Sequence, residues 1–569
     1  MSTEDGWRAV IAGRSLALAL YLDRATLPGP ERRLKIFRPL HPALKRPLTV
    51  LVALAWVVQM GVLLRATLRG SPVALAADLA RYGSSAQWKG IYYRGEKIGF
   101  AVGQTTATDD GYELREEGRL QLNLMGATTA AHLTTVARVD REFVLRSFSF
   151  ALDPGTGPTE ISGTVNGREL DLRIRTSRGE RAEKRELEAP PTLQLNLSHR
   201  LAAQGLHEGQ RVVTQVFDPA TMKNAALELV VERREIVEAA GRPVPAFKLV
   251  SHFAGITSAS WITDVGEVVR EESPMGLVVV KETREHAQAL AVPGKVQTDM
   301  LEAAAIVPKS RWRIDDPRAV RRLRARVTGI ADFDPAELNG AGQTLDGDVI
   351  ELRDPRTLEP GPLDPERGRY VGPEAFLESD APEIRAEAER AVSGVTGPRA
   401  RAERLVRHVN ALLDKKPTVS LPSALEVLHT RVGDCNEHTA LYVALARALG
   451  LPARVAVGLV HLHGAFYYHA WAEVYLEDNG RGLWLPVDPT LNEFPADATH
   501  IRLSRGGLEK QAVVLGLIGR ATITVVDLDL DPTATPVLVG AAPSARRPLE
   551  IALPKRDGTG PGCWSRPGR

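Results

Sequence analysis

Three residues whose side chains can perform acyl transfer follow one another late in the chain: Cys435 after Gly433-Asp434, His469 before Ala470-Trp471, and Asp488 before Pro489-Thr490. A thiol, an imidazole and a carboxylate are what a cysteine nucleophile needs: an attacking sulfur, a base for its proton, and a group that orients the base. Taken singly, each has a blander reading. A lone cysteine is often a small buried hydrophobe. A histidine within Phe466-Tyr467-Tyr468-His469 reads as a core or edge residue, and an Asp-Pro pair at a strand end reads as a turn. Their order, together with helix-start, strand and strand-end contexts, favours chemistry.

The elements that must position these groups can be read locally. A helix is expected from Cys435 to Gly450, the usual residue past a helix end, with Pro452 beyond it. A thiol in its first turn faces the positive end of the helix, which favours the thiolate. The Cys435 N–H points where an oxyanion would form. Strands are expected at 454–460, 467–476 and 484–487. Upstream, Asp380 is expected to cap a helix that has Pro382 in its first turn and ends near Gly394. Leu405, Val409, Leu412 and Leu413 have helical spacing, and Pro422 opens a short helix over 423–428. Helices followed by antiparallel strands make this an α+β unit.

The sequence around the three residues carries a resemblance. Ala424-Leu425-Glu426-Val427-Leu428 with Gly433-Asp434-Cys435, the run 444–454 (ALARALGLPAR), His469-Ala470-Trp471-Ala472-Glu473-Val474 and Val487-Asp488-Pro489-Thr490 closely resemble the transglutaminase-like superfamily, over about residues 370–510. The match is to its bacterial cysteine-peptidase type. The resemblance implies a papain-like fold with Cys435 as nucleophile, His469 as general base and acid, and Asp488 orienting His469. It implies no cofactor. Animal crosslinking members bind calcium, but this chain has no Asp-x-Asp-x-Asp loop. Thr430-Arg431-Val432, just upstream of the cysteine, offers no tryptophan or glutamine as a second oxyanion donor.

The rest of the chain frames this core. At 569 residues, 44% hydrophobic and 25% charged, it is globular and too long for one core. A net charge of +2 without a long basic block beyond the N-terminal region gives no reason to expect a nucleic-acid partner. The expected organisation is a basic cytoplasmic segment (1–47), a single transmembrane helix (48–64), a linker (65–84), a mostly antiparallel β-sheet domain (85–290), a connecting region with short strands and a Pro-rich linker (291–369), the catalytic domain (370–540) and a disordered tail (541–569). The anchor is expected because an uncharged run is preceded by Arg32, Arg33, Lys35, Arg38, Lys45 and Arg46 and followed closely by only Arg65 and Arg69. That asymmetry places the C-terminal domains outside the cytoplasm, on the periplasmic side of an inner membrane, with peptide or protein substrates of the cell envelope as partners. Cleavage after Ala74-Leu75-Ala76 is the alternative. The sequence gives no oligomeric state.

A zinc site from Cys435, His438, His461, His463 and His469 is a rival chemistry, although the spacing matches no common zinc pattern and leaves Asp488 idle. The only other cysteine, Cys563, lies in the tail and is a candidate reversible block on Cys435. The reaction expected is hydrolysis of an amide, with crosslinking or deamidation as an alternative. A non-catalytic envelope scaffold is the alternative of another class.

Overall fold

Hairpin turns organise the first half of the chain. In a computed structural model, residues 86–533 and 537–538 are described, apart from 125, 156, 254–255, 290–297, 331–332, 507–509, 511–513 and 515–516. The expected basic segment, transmembrane helix, linker and tail, with Cys563, lie outside the described residues. Among the described residues no helix is long and apolar enough to cross a membrane.

Eight strands run from the start: β1 (Gln87–Tyr93), β2 (Glu96–Ala107), β3 (Gly111–Leu124), β4 (Ala127–Asp140), β5 (Leu145–Asp153), β6 (Thr159–Asn166), β7 (Glu169–Thr176) and β8 (Gly179–Glu186). Helix α1 (Gln194–Gln204) then crosses to the far edge. There β9 (Arg211–Asp218), β10 (Lys223–Ala239), β11 (Arg242–Phe253), β12 (Ile256–Ile262), β13 (Val268–Glu272) and β14 (Leu277–Glu282) meander back until β14 pairs with β1. The result is one antiparallel sheet of fourteen strands.

Period-2 patterning explains its faces. In β7, Leu170, Leu172 and Ile174 are buried while Glu169, Asp171 and Arg173 are exposed. The β6–β7 loop is Gly167-Arg168, closed by the Asn166–Glu169 pair, with Gly167 at φ +62° as a tight primed turn requires. Apolar and polar residues alternate poorly over 143–152, and the strand pairing gives the cause. Leu145 pairs with Val139 and Ser147 with Arg138, so Arg146 is an extra residue that shifts the buried phase to Phe148, Phe150 and Leu152.

Short helices α2 (Arg284–Gln288) and α3 (Met300–Ala304) follow. The stretch expected to connect domains, 291–369, does more than connect. After β15 (Trp312–Arg313), strands β16 (Val320–Thr328), β17 (Gln343–Asp346) and β18 (Val349–Arg353) build a four-stranded sheet with a strand from near the C-terminus. Its Leu323, Ala325 and Ile350 share one hydrophobic cluster with the helices that follow.

Those helices are α4 (Pro382–Ala391), α5 (Pro398–Leu412), α6 (Ala424–Thr430) and α7 (Cys435–Ala448). Two-residue strands β19 (Asp414–Lys415) and β20 (Val432–Gly433) pair in parallel between them. Strands β21 (Ala453–Leu462), β22 (Ala465–Asp478), β23 (Arg481–Val487) and β24 (Ile501–Arg505) form a sheet in the order β23-β22-β21-β24. β25 (Thr522–Leu530) completes the sheet of β16–β18, and β26 (Val537–Leu538) pairs with β15. Asp380 does not cap α4. The N-cap is Ala381 without a side-chain hydrogen bond, and Asp380 lies 3.5 Å from Arg181 of β8 instead.

One charge cluster locks this core. Glu473 on β22 is fully buried, bonded to Arg454 of β21 at 2.7 Å and to Arg502 and Arg505 of β24 at 2.5 and 3.3 Å. Burial would raise its carboxyl, but the three guanidinium charges hold it well below the usual carboxylate range. Arg502 also donates to the Glu337, Asn339 and Gly340 carbonyls, tying β24 to the loop before β17. Glu473→Gln leaves these arginines without their shared counter-charge. Its expected cost is about 3–5 kcal/mol of stability, measurable by chemical denaturation.

Candidate active site

The nucleophile candidate sits at the first residue of α7, the helix buried along most of its length. A capping box holds its start: the Asp434 side chain accepts from Asn436 N at 3.0 Å, and Glu437 Oε2 accepts from Asp434 N at 2.8 Å. Gly433 is required by close approach, because a Cβ there would lie 2.2 Å from Glu437 Cβ. Glu437 also accepts from Thr418 at 2.9 Å and from Ser420, which fixes the 416–421 loop beside Cys435. That loop leans on the large sheet. Thr129 of β4 donates to the Pro417 carbonyl at 3.3 Å, and Val419 packs with Leu122 and Leu124 of β3.

Cys435 is half-buried against the main core, and its sulfur faces the Ala470 backbone N–H, next to His469. Burial pushes the thiol well above its ordinary value, the Asp434 carboxylate adds to this, and the Ala470 N–H opposes it. The helix-start position expected to favour the thiolate is therefore outweighed. Burial and the Glu437 charge likewise raise the Asp434 carboxyl.

His469 and Asp488 are brought together. The imidazole Nε2 lies 2.6 Å from Asp488 Oδ2, and the ring stacks on Trp471 with centroids 6.2 Å apart. Asp488, the residue after β23, is fully buried, and its Oδ1 accepts from Thr490 N and Leu491 N at 2.7 and 2.9 Å. Burial would raise this carboxyl. The His469 charge and the hydrogen bonds from His469 and His500 outweigh it and hold it well below the usual range. Among the described residues the Cys435 thiol makes no hydrogen bond to the His469 ring. Such contacts in unliganded enzymes often tighten only when substrate binds.

The rival zinc set is not assembled. Among the described residues, the converging groups are His469, Asp488 and His500, and Glu493, Asp497 and His500, whereas Cys435, His438, His461 and His463 join neither. The first set is already joined by hydrogen bonds through Asp488 Oδ2, which engages the lone pairs a metal would need.

Two contributors escaped the motif reading. Glu437 had a signal, since Asp434-x-x-Glu437 has the spacing of a capping box. His500 had none beyond being a histidine after the third motif.

Residues 385–489 match the model of the transglutaminase-like superfamily core. No curated protein matches the chain. Similar solved structures include a candidate cysteine protease from Cytophaga hutchinsonii, 16% identical over 41% of this chain and 89% of that one, with a TM-score of 0.25. The periplasmic domain of TgpA from Pseudomonas aeruginosa is 21% identical over 32% of this chain and 76% of that one, with a TM-score of 0.21. A β-barrel-like protein of a domain family of unknown function from Brucella abortus is 10% identical over 35% of this chain and 95% of that one, with a TM-score of 0.28.

Proposed function

Residues 385–489 are a transglutaminase-like domain, and from that premise we propose a thiol enzyme in which Cys435, His469 and Asp488 form the catalytic triad of an amide hydrolase. The observation that carries the reading is the 2.6 Å contact of His469 Nε2 with a buried, ionised Asp488, beside a helix-start thiol. Committing Nε2 to Asp488 leaves Nδ1 as the nitrogen for the cysteine proton.

Because the resting thiol is held protonated, His469 acts as a general base during attack rather than storing a preformed ion pair. Sγ bonds to the amide carbonyl carbon as its proton passes to His469 Nδ1. The Cys435 backbone N–H, at the positive end of α7, stabilises the oxyanion. His469 then returns the proton to the leaving nitrogen, and the C–N bond breaks to leave a thioester on Cys435. Water, deprotonated by His469, cleaves the thioester to a carboxylic acid and restores the thiol.

The substrates we propose are peptides or proteins of the cell envelope. Support for this comes from the uncharged run 48–64 and its basic N-terminal flank, the pattern of an anchor that leaves the catalytic domain outside the cytoplasm. Crosslinking follows the same path with an amine in place of water. The missing Cys435–His469 hydrogen bond favours one other reading, a scaffold that keeps the domain without the chemistry. One experiment separates the three. Full-length protein in detergent is incubated with a peptide mixture, with and without added methylamine, beside Cys435→Ala. New carboxyl termini that depend on Cys435 support hydrolysis, and methylamide products support transamidation. Identical peptide profiles for the two proteins would sink the enzyme reading.

A further inference from the structure

Asp488 has a second imidazole on the oxygen that binds His469: His500 Nε2 lies 3.2 Å from Oδ2. We propose that His500 is a positioning residue that locks Asp488 and places a fixed positive charge beside the His469–Asp488 pair, setting the pH at which His469 becomes available as a base. This inference rests on the triad reading above and deepens it.

The lock follows from counting donors. A carboxylate has about four lone-pair sites. Those of Asp488 receive Thr490 N and Leu491 N on Oδ1, and His469 and His500 on Oδ2. Removing His500 opens one site and frees the carboxylate to rotate away from His469.

The charge follows from what His500 faces. Its Nδ1 lies 3.2 Å from both Asp497 Oδ1 and the Asp497 carbonyl, while Nε2 faces Asp488. Both ring nitrogens meet acceptors, so both carry hydrogens, and the ring is an imidazolium. Burial would drive the proton off, but the Asp497 and Asp488 carboxylates outweigh it and hold His500 well above its ordinary value. The groups around it are Asp488 from the end of β23, Glu493 and Asp497 from the following loop, and His469 from β22, where Trp471 meets the ring edge-on at 5.2 Å. Arg318 binds Glu493 at 2.9 Å, and Lys415 acts on Asp488 from β19.

The backbone is built to bring His500 in. His500 directly precedes β24, which pairs with β21, and Gly458 of β21 sits opposite His469. A Cβ on Gly458 would lie 2.0 Å from the Ile501 carbonyl oxygen, so only glycine permits this approach. Gln343 clamps the other side of β24, accepting from Arg502 N and donating to its carbonyl, each at 2.8 Å.

A lone buried carboxylate would hold a proton on His469 strongly. On this proposal the His500 charge offsets part of that carboxylate's pull on the His469 proton, and losing it strengthens the pull. His500→Gln keeps a neutral donor and removes the charge. The acid limb of its kcat/KM profile is expected to move up by about one pH unit or more, with kcat reduced and KM little changed. His500→Arg, which restores a cation, should bring the limb part of the way back. A folded His500→Gln protein with an unmoved acid limb overturns the proposal. Should that variant not fold, His500→Asn, a shorter neutral donor, should move the limb in the same direction. A 15N-NMR titration of the His469 ring in Cys435→Ala, with and without His500→Gln, needs no turnover. A higher midpoint in the double variant supports the His500 role even if no substrate is cleaved, and equal midpoints overturn it even if hydrolysis is found.

Discussion

Cys435→Ala is expected to lower kcat/KM for amide hydrolysis by at least about 10⁴-fold while leaving the protein folded. No other described side chain can supply the attacking sulfur, since Cys435 is the sole free cysteine there. The fold should tolerate the change because alanine keeps the Cβ at the start of α7, and the capping box depends on Asp434 and Glu437. Equal thermal unfolding midpoints with lost turnover would attribute the effect to chemistry. The raised thiol adds a pH signature. Alkylation of the wild-type protein by iodoacetamide at Cys435 should climb as pH rises through and above neutrality, because each step exposes more thiolate. A rate already at its plateau below pH 6 would mean a preformed thiolate instead.

Asp488→Asn is expected to cost about 10³–10⁴-fold in kcat, with KM nearly unchanged. Asparagine keeps the shape and can still accept from Thr490 N and Leu491 N. It no longer offers His469 Nε2 a charged acceptor, so the imidazole loses both its orientation and the stabilisation of its protonated form. His500 loses one of its two carboxylate partners in the same change. The substitution also has a thermodynamic sign. The Asp488 carboxyl is held below its unfolded value, so its stabilisation is present above the unfolded carboxylate range and is lost as pH falls through that range and below. The variant should therefore show a shallower fall in unfolding midpoint between about pH 5 and pH 2 than the parent does.

What the sequence made legible was local. The start of α7 could be placed because Gly433, Asp434 and the first-turn thiol are neighbours, and its end because Gly450 and Pro452 are. The elements carrying His469 and Asp488 announced themselves through apolar, β-prone runs, and the structure joins the two side chains across β22 and β23. What stayed hidden depends on contacts between distant segments. His500 matters because β24 pairs with β21 and not with its sequence neighbour β23, and no periodicity encodes that choice. Short strands were expected within 291–369, but their membership of the main core was obscured by arginines and by the prolines that follow. Arg321, Arg322, Arg324 and Arg326 dilute the apolar signal of β16, yet Val320, Leu323, Ala325 and Val327 are buried. The thiol's environment was misjudged for a related reason. A helix start can be read from the chain, whereas the burial around Cys435 is set by packing between distant segments.

The most direct measurement is the intact mass of the protein quenched in acid during turnover of a cleaved peptide, followed by peptide mapping. An acyl adduct with the mass of the N-terminal product less one water, confined to the peptide containing Cys435 and discharged by hydroxylamine, is the expected result. Continued turnover with no adduct under conditions that trap thioesters, or an adduct on another residue, would contradict nucleophilic catalysis by Cys435.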